Sequence, residues 1–160
     1  MIQFTARQGD VLILPADVPD GAAPVPTTGA RAILAYGEAT GHHHSLPATA
    51  ATVLLFGGRR FVKIAGEPQH DGRDRALSYN ASVAALWVPE MVSSRDVDDL
   101  KRATADVVAL AERDGFVALQ HLGSDGRQAD HLPIILPPGY TGEVKVPREY
   151  APDEIRAVED

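Results

Sequence analysis

The chain has 160 residues, 44% of them hydrophobic and 23% charged, and a formal net charge of −7, which is length for one domain with a real core but not for two sizeable ones. Its cationic pairs, Arg59-Arg60 and Lys101-Arg102, are isolated, so the charge argues against nucleic acid as a partner, because phosphate binding draws on clustered Lys and Arg. Cysteine is absent, which excludes disulfides, thiolate nucleophiles, iron–sulfur clusters and Cys-type zinc sites, and leaves His, Asp and Glu to hold any metal.

The first residues, MIQFTARQGDVLILP, lack a basic region followed by a long apolar core, and no apolar run approaches the roughly 20 residues that span a bilayer. A soluble, cytoplasmic protein without membrane contact is the expectation. Asp10 to Pro15 reads as a strand ended by proline, and Ala16 to Gly29 as a Pro/Gly/Thr loop. Arg31 to Tyr36 is a second strand, broken by Gly37 and Gly41, after which His42 to Leu46 resumes an extended path. Thr52 to Phe56 and Arg59 to Ala65 form the clearest hairpin, since the intervening Gly57-Gly58 readily takes positive φ.

Glu67 to Arg75 is polar and reads as a loop, and Leu77 to Pro89 as one or two strands carrying Trp87, the only tryptophan. One helix is predicted at about 94–114. Ser93 or Ser94 would cap it, Asp96, Asp98 and Asp99 lie in its first turns, and Val97, Leu100, Thr104, Val107, Val108 and Ala111 recur at helical spacing until Gly115. Phe116 to His121, Leu132 to Leu136 and Tyr140 to Val146 read as strands, and Pro152 to Asp160 as one or two helical turns. Eight or more short strands with one inserted helix predict a mainly β fold, either a small barrel or a two-sheet sandwich.

The segment GEATGHHHSL, residues 37–46, carries half of the six histidines. Side chains alternate along an extended strand, so His42 and His44 project to one side and His43 to the other, which makes His-x-His a two-point chelate. A mononuclear site needs a third ligand. His70 falls in the polar loop, whereas His121 ends one predicted strand and His131 begins the next, so a hairpin there brings the two imidazoles together. Asp130 is a ligand or a hydrogen-bond acceptor for a ligand imidazole. Glu38, four residues before His42, is either a ligand or general base beside metal-bound water, or a carboxylate on a turn. The competing reading, a solvated histidine run, explains neither the flanking glycines nor why four of the six histidines fall at strand ends.

The segments QGDVLILP, AYGEATGHHHSL, ADHLPIILPPGY and PREYAPDEIRAVED resemble those of small bacterial and phage proteins of no established activity. These share a G-E-x-T-G-H-x-H segment, a later acidic residue and His before P-I-x-L-P-x-G-x-Y, and a terminal R-E-Y. The resemblance covers about 8–64 and 116–160 and marks 66–115 as an insertion. It implies that His121 and His131, here separated by the longer loop GSDGRQAD, are the second histidine pair. The chain is also distantly similar to cupins through His42-x-His44 and Pro137-Pro138-Gly139, though no glutamate stands at the expected place soon after His44 and no histidine follows Gly139 as cupin ligation requires. This implies a cupin-like barrel as the form of the closed alternative. Arg148-Glu149-Tyr150 is either a substrate anchor or a structural ion pair with a packed ring.

Two functions are expected to compete. In the first, a divalent ion (zinc, iron, manganese, nickel or copper) held by His42, His44, His131 and His121 uses an open position to activate water or dioxygen on a small-molecule substrate, making the chain a hydrolytic or oxygen-activating metalloenzyme. In the second, the histidines brace a non-catalytic metal- or ligand-binding module, with the inserted helix and Trp87 as the contact surface of a homodimer. P-loop, dinucleotide-binding and G-x-S-x-G patterns are absent from the sequence.

Overall fold

The structure is a computed structural model that describes residues 1–37, 41–146, 148–150 and 155–157, the last two stretches in their backbone alone. In chain order the strands are β1 (Ala6–Gln8), β2 (Val11–Pro15), β3 (Ala23–Pro24), β4 (Arg31–Tyr36), β5 (His43–Pro47), β6 (Ala51–Phe56) and β7 (Arg59–Ile64). The helices α1 (Gly72–Leu86), α2 (Pro89–Ser94) and α3 (Val97–Arg113) follow, and then β8 (Val117–Leu122), β9 (Ile134–Leu136), β10 (Thr141–Lys145), β11 (Arg148–Tyr150) and β12 (Ile155–Ala157). All three helices fall within 66–115. None is long and apolar enough to cross a membrane.

The strands form a six-stranded antiparallel sheet, β1-β2-β10-β7-β6-β3, a four-stranded one, β4-β5-β8-β9, and a separate β11-β12 ladder. Among the described residues neither large sheet closes on itself, so of the two expected architectures the sandwich is adopted, not the barrel. Inward residues of both sheets, among them Ile13, Val53, Val62 and Ile64 from one and Leu34, Leu46, Leu119 and Ile135 from the other, belong to one buried cluster. The β6–β7 hairpin forms because Gly57 and Gly58 take φ of 55° and 77°, the positive pair that a two-residue turn needs between Phe56 and its partner Arg59.

The expected strands over Leu77 to Pro89 are not formed; this stretch belongs to α1 and the start of α2. The helix carries little periodic signal because the buried residues of α1 are small, Gly72, Ala76 and Val83, while Leu77 stays 43% exposed. Asn80 ties α1 to β9. Its Nδ2 donates to Ile135 O at 3.0 Å and its Oδ1 accepts from Ile135 N at 2.7 Å, so one amide stands in for the missing neighbour of edge strand β9.

The expected long helix is α3, which starts later than 94 because the hydroxyls of Ser93 and Ser94 donate back to Glu90 O inside α2. Asp96 caps α3 instead, accepting from Asp98 N at 2.7 Å. Leu100, Thr104, Val108 and Ala111 are its buried stripe. Trp87 closes the helical unit: its Nε1 donates to Thr104 Oγ1 at 2.8 Å. At the other end of the chain, Ile155–Ala157 is strand rather than the expected helical turn, because Arg148–Tyr150 pairs with it antiparallel.

Two stability predictions follow from these contacts. Asn80→Ala leaves both backbone groups of Ile135 without this partner and is expected to cost about 1–3 kcal/mol, read as a lower urea midpoint; an unchanged midpoint contradicts the clamp. The Glu143 carboxylate is held down to about 2 by hydrogen bonds from Arg59, at 2.9 and 2.8 Å, and from Lys145, at 2.8 Å. A carboxylate depressed in the folded state stabilises fully above its ordinary value of 4.5 and loses that contribution as pH falls toward about 2. Glu143→Gln is therefore expected to flatten the stability curve across that window, whereas an identical acid profile removes the pairing from the account.

Candidate metal centre

Along β5 the inward positions are His44 and Leu46, and along β8 they are Val117, Leu119 and His121. The antiparallel register sets His44 directly opposite His121, with His43 opposite Leu122 and Ser45 opposite Gln120. The apolar row of each strand thus ends in an imidazole, and the two imidazoles lie side by side at one end of the sandwich interior. Both are fully buried, at 0% and 1% exposure.

Three further side chains join them. The His44 and His121 rings stack with centroids 4.5 Å apart, His131 lies 4.9 Å from His121 and 6.0 Å from His44, and His42 lies 5.5 Å from His121. His42, His121 and Asp130 each bring a ligand-type atom within 4.8 Å of the other two. A tetrahedral ion with nitrogen ligands separates them by roughly 3–3.5 Å, so small rotations bring such a set into range. The cluster grades from core to surface, from His44 and His121 through the half-buried His42 and His131 to the exposed Asp130. It opens to solvent on the Asp130 side.

Local hydrogen bonds explain why His131 arrives here although its loop is long. Beyond β8 the chain turns on Gly123 N to Arg127 O at 2.8 Å and on a bridge between Leu122 and Gln128. Ala129 N then donates to His121 O at 2.8 Å, which lays Asp130 and His131 beside His121 before β9 pairs back onto β8. The preceding loop is closed by Gly37 N donating to His42 O at 2.9 Å.

The buried His44 is a neutral imidazole. Burial, followed by the neighbouring His121, His131 and His43, pushes His44 down to about 3, with Asp10 opposing. His43, on the opposite face of β5, is also lowered, by burial, by Arg31 and by His42. Unprotonated rings are what a cation binds. Among the described residues the Nδ1 of His42 is buried without a hydrogen-bond partner, an arrangement an ion would relieve. The His44 ring also meets Gln8, whose Oε1 lies 2.9 Å from Nδ1; nothing in the residue pattern of QGDVLILP singles this glutamine out.

His42, His44, His121 and His131 are therefore brought together, with Asp130 at their edge. His43 points away from them, and His70 is exposed at the turn before α1. Glu38, the expected base, lies outside the described residues, as do the side chains of Arg148, Glu149 and Tyr150. A cavity of about 130 Å³ lies beside the cluster, lined by His121 with Gln120, Leu122, Gly126, Gln128 and Pro133. A larger one, about 620 Å³, lies at the other end of the β5–β8 ladder between Pro47, Glu112 and Phe116 and contains none of the histidines; size alone does not mark the chemistry.

A Cβ on Gly37 would stand 3.0 Å from His121 Nε2 and 3.3 Å from His42 Cβ. Gly37→Ala is thus expected to displace both rings while leaving the sheets intact. Imidazole NMR resonances of His42 and His121 that stay where they are in the variant would contradict this close approach.

A family model described as "Domain of unknown function (DUF8820)" matches residues 7–68. The match spans Gln8, the histidine triplet and strands through β7, and ends where the helical segment begins. No curated protein and no solved structure is significantly similar to the chain.

Proposed function

We propose that the chain binds a divalent metal ion through His42, His44, His121 and His131, and that it is a metal-dependent enzyme acting on a small molecule at an open coordination position. The observation that carries this reading is the convergence of five ligand-type side chains, from the 42–44 segment, β8 and the 130–131 segment, at one end of the interior. Closely grouped imidazoles are a donor set that one shared cation can engage at several nitrogens at once. Zinc, iron, manganese, nickel and copper all accept such a donor set.

The open edge favours catalysis. Asp130 is exposed and the neighbouring cavity of about 130 Å³ reaches His121, so water or a small substrate has a route to the ion. The ion would supply Lewis acidity and an activated oxygen ligand, and the protein an apolar wall at Leu46 and Leu119. The distant cupin likeness contributes the His-x-His strand pair and says nothing of the substrate. A second reading is favoured by the depth of His44 and His121: an ion there would brace β5 against β8 as a structural element, with no turnover.

Metal analysis of protein purified without a nickel column separates the readings. About one ion per chain is expected, and added zinc should raise thermal stability, by about 2.7 kcal/mol at a hundredfold excess over its dissociation constant. His131→Ala and His44→Ala are expected to lose the ion. If these variants keep a cooperative fold, the site serves chemistry; if they unfold while the loaded wild type is stable, it is structural. Protein that carries no metal and takes up none from zinc, iron, manganese, nickel or copper solutions overturns both.

A further inference from the structure

We infer that Gln8 is the positioning residue of this centre: it fixes the tautomer in which His44 presents Nε2 as a ligand, and it ties together the strands that carry the other imidazoles. The inference rests on the metal reading above for its function, but its geometry stands alone. Gln8 ends β1 in the six-stranded sheet, yet its side chain crosses to the four-stranded one and is 2% exposed. Its Nε2 donates to Leu119 O at 3.0 Å and to Leu132 O at 2.8 Å, and its Oε1 faces His44 Nδ1 at 2.9 Å.

The amide has only one acceptable orientation. Reversing it would set Oε1 against two carbonyl oxygens, which offer no proton. With both amide hydrogens directed at Leu119 O and Leu132 O, the oxygen is left to accept, so the proton between Gln8 and His44 belongs to the imidazole Nδ1. A neutral imidazole carries a single N–H. Its lone pair is then on Nε2, the atom on the far side of the ring from Gln8.

The two carbonyls are also informative. Leu119 is two residues before His121 on the same inward row of β8, and Leu132 adjoins His131. One side chain therefore contacts His44 directly, the β8 row that ends in His121, and the segment that delivers His131. This is how outer-shell groups set ring orientation and ligand basicity at metal centres, where their loss costs affinity on the order of 10- to 100-fold.

The test uses the full chain with Gln8→Met and Gln8→Glu. Gln8→Met removes all three contacts, whereas Gln8→Glu, protonated on the oxygen that faces Leu119 O and Leu132 O, keeps one donated bond together with an oxygen acceptor toward His44. Long-range imidazole ¹H–¹⁵N spectra of metal-free wild type should show His44 protonated on Nδ1, with Gln8→Met losing this preference and Gln8→Glu keeping it. Zinc affinity should fall at least tenfold in Gln8→Met and recover in part in Gln8→Glu. Wild-type His44 protonated on Nε2, or zinc affinity in Gln8→Met equal to wild type, overturns the proposal. Zinc failing to bind wild type that has the expected tautomer removes the positioning role by removing the metal reading, and that outcome is distinct from a wrong tautomer. If Gln8→Met does not fold, the wild-type tautomer and the Gln8→Glu affinity decide alone.

Discussion

The register between β5 and β8 is the constraint from which the rest follows. Antiparallel pairing places His44 opposite His121, and because side chains alternate with a period of two, a slip of either strand by one residue would turn that strand's ring out of the interior and bring a neighbour, His43 in the case of β5, in. The apolar rows behind them, Leu46 on one strand and Val117 and Leu119 on the other, lock that register, since the same slip would expose them. The core and the histidine cluster are thus two ends of one packing decision.

A polar cluster at the end of a sandwich must be satisfied from several directions. Gln8 does part of this across the gap between the sheets, and the chain after β8 folds back through Ala129 N and His121 O to bring Asp130 and His131 alongside. The helices do not contribute a ligand-type residue to the cluster. They cover β8 and β9, and Asn80 supplies the edge of β9 with the hydrogen bonds a further strand would have made. The segment 66–115 therefore supports the sheet that carries the site while leaving the open side, at Asp130, unobstructed by its own cluster contacts.

Much of this was legible in the residues. Gly57-Gly58 announced the β6–β7 hairpin through the turn it permits, Arg31 to Tyr36 was bounded correctly by its composition, and the strict parity of a strand separated His42 and His44 from His43. The helix α1 is hidden because its buried face is made of Gly72, Ala76 and Val83, too small to write a helical period in hydrophobicity, while the larger Leu77 is exposed. The strand pairing at residues 155–157 was hidden for a related reason: it depends on a partner segment, not on local preference. Gln8 was invisible altogether, since a buried amide has no pattern in sequence until the three segments it joins are assembled.

The most direct measurement is a crystal structure of zinc-soaked protein with anomalous data collected at the zinc edge. The account predicts one peak between His44 and His121, within about 2.0–2.1 Å of His44 Nε2 and with His42 and His131 turned toward it. A peak elsewhere on the surface with these four rings unmoved, or His44 facing an empty cluster through Nε2–H, would contradict it.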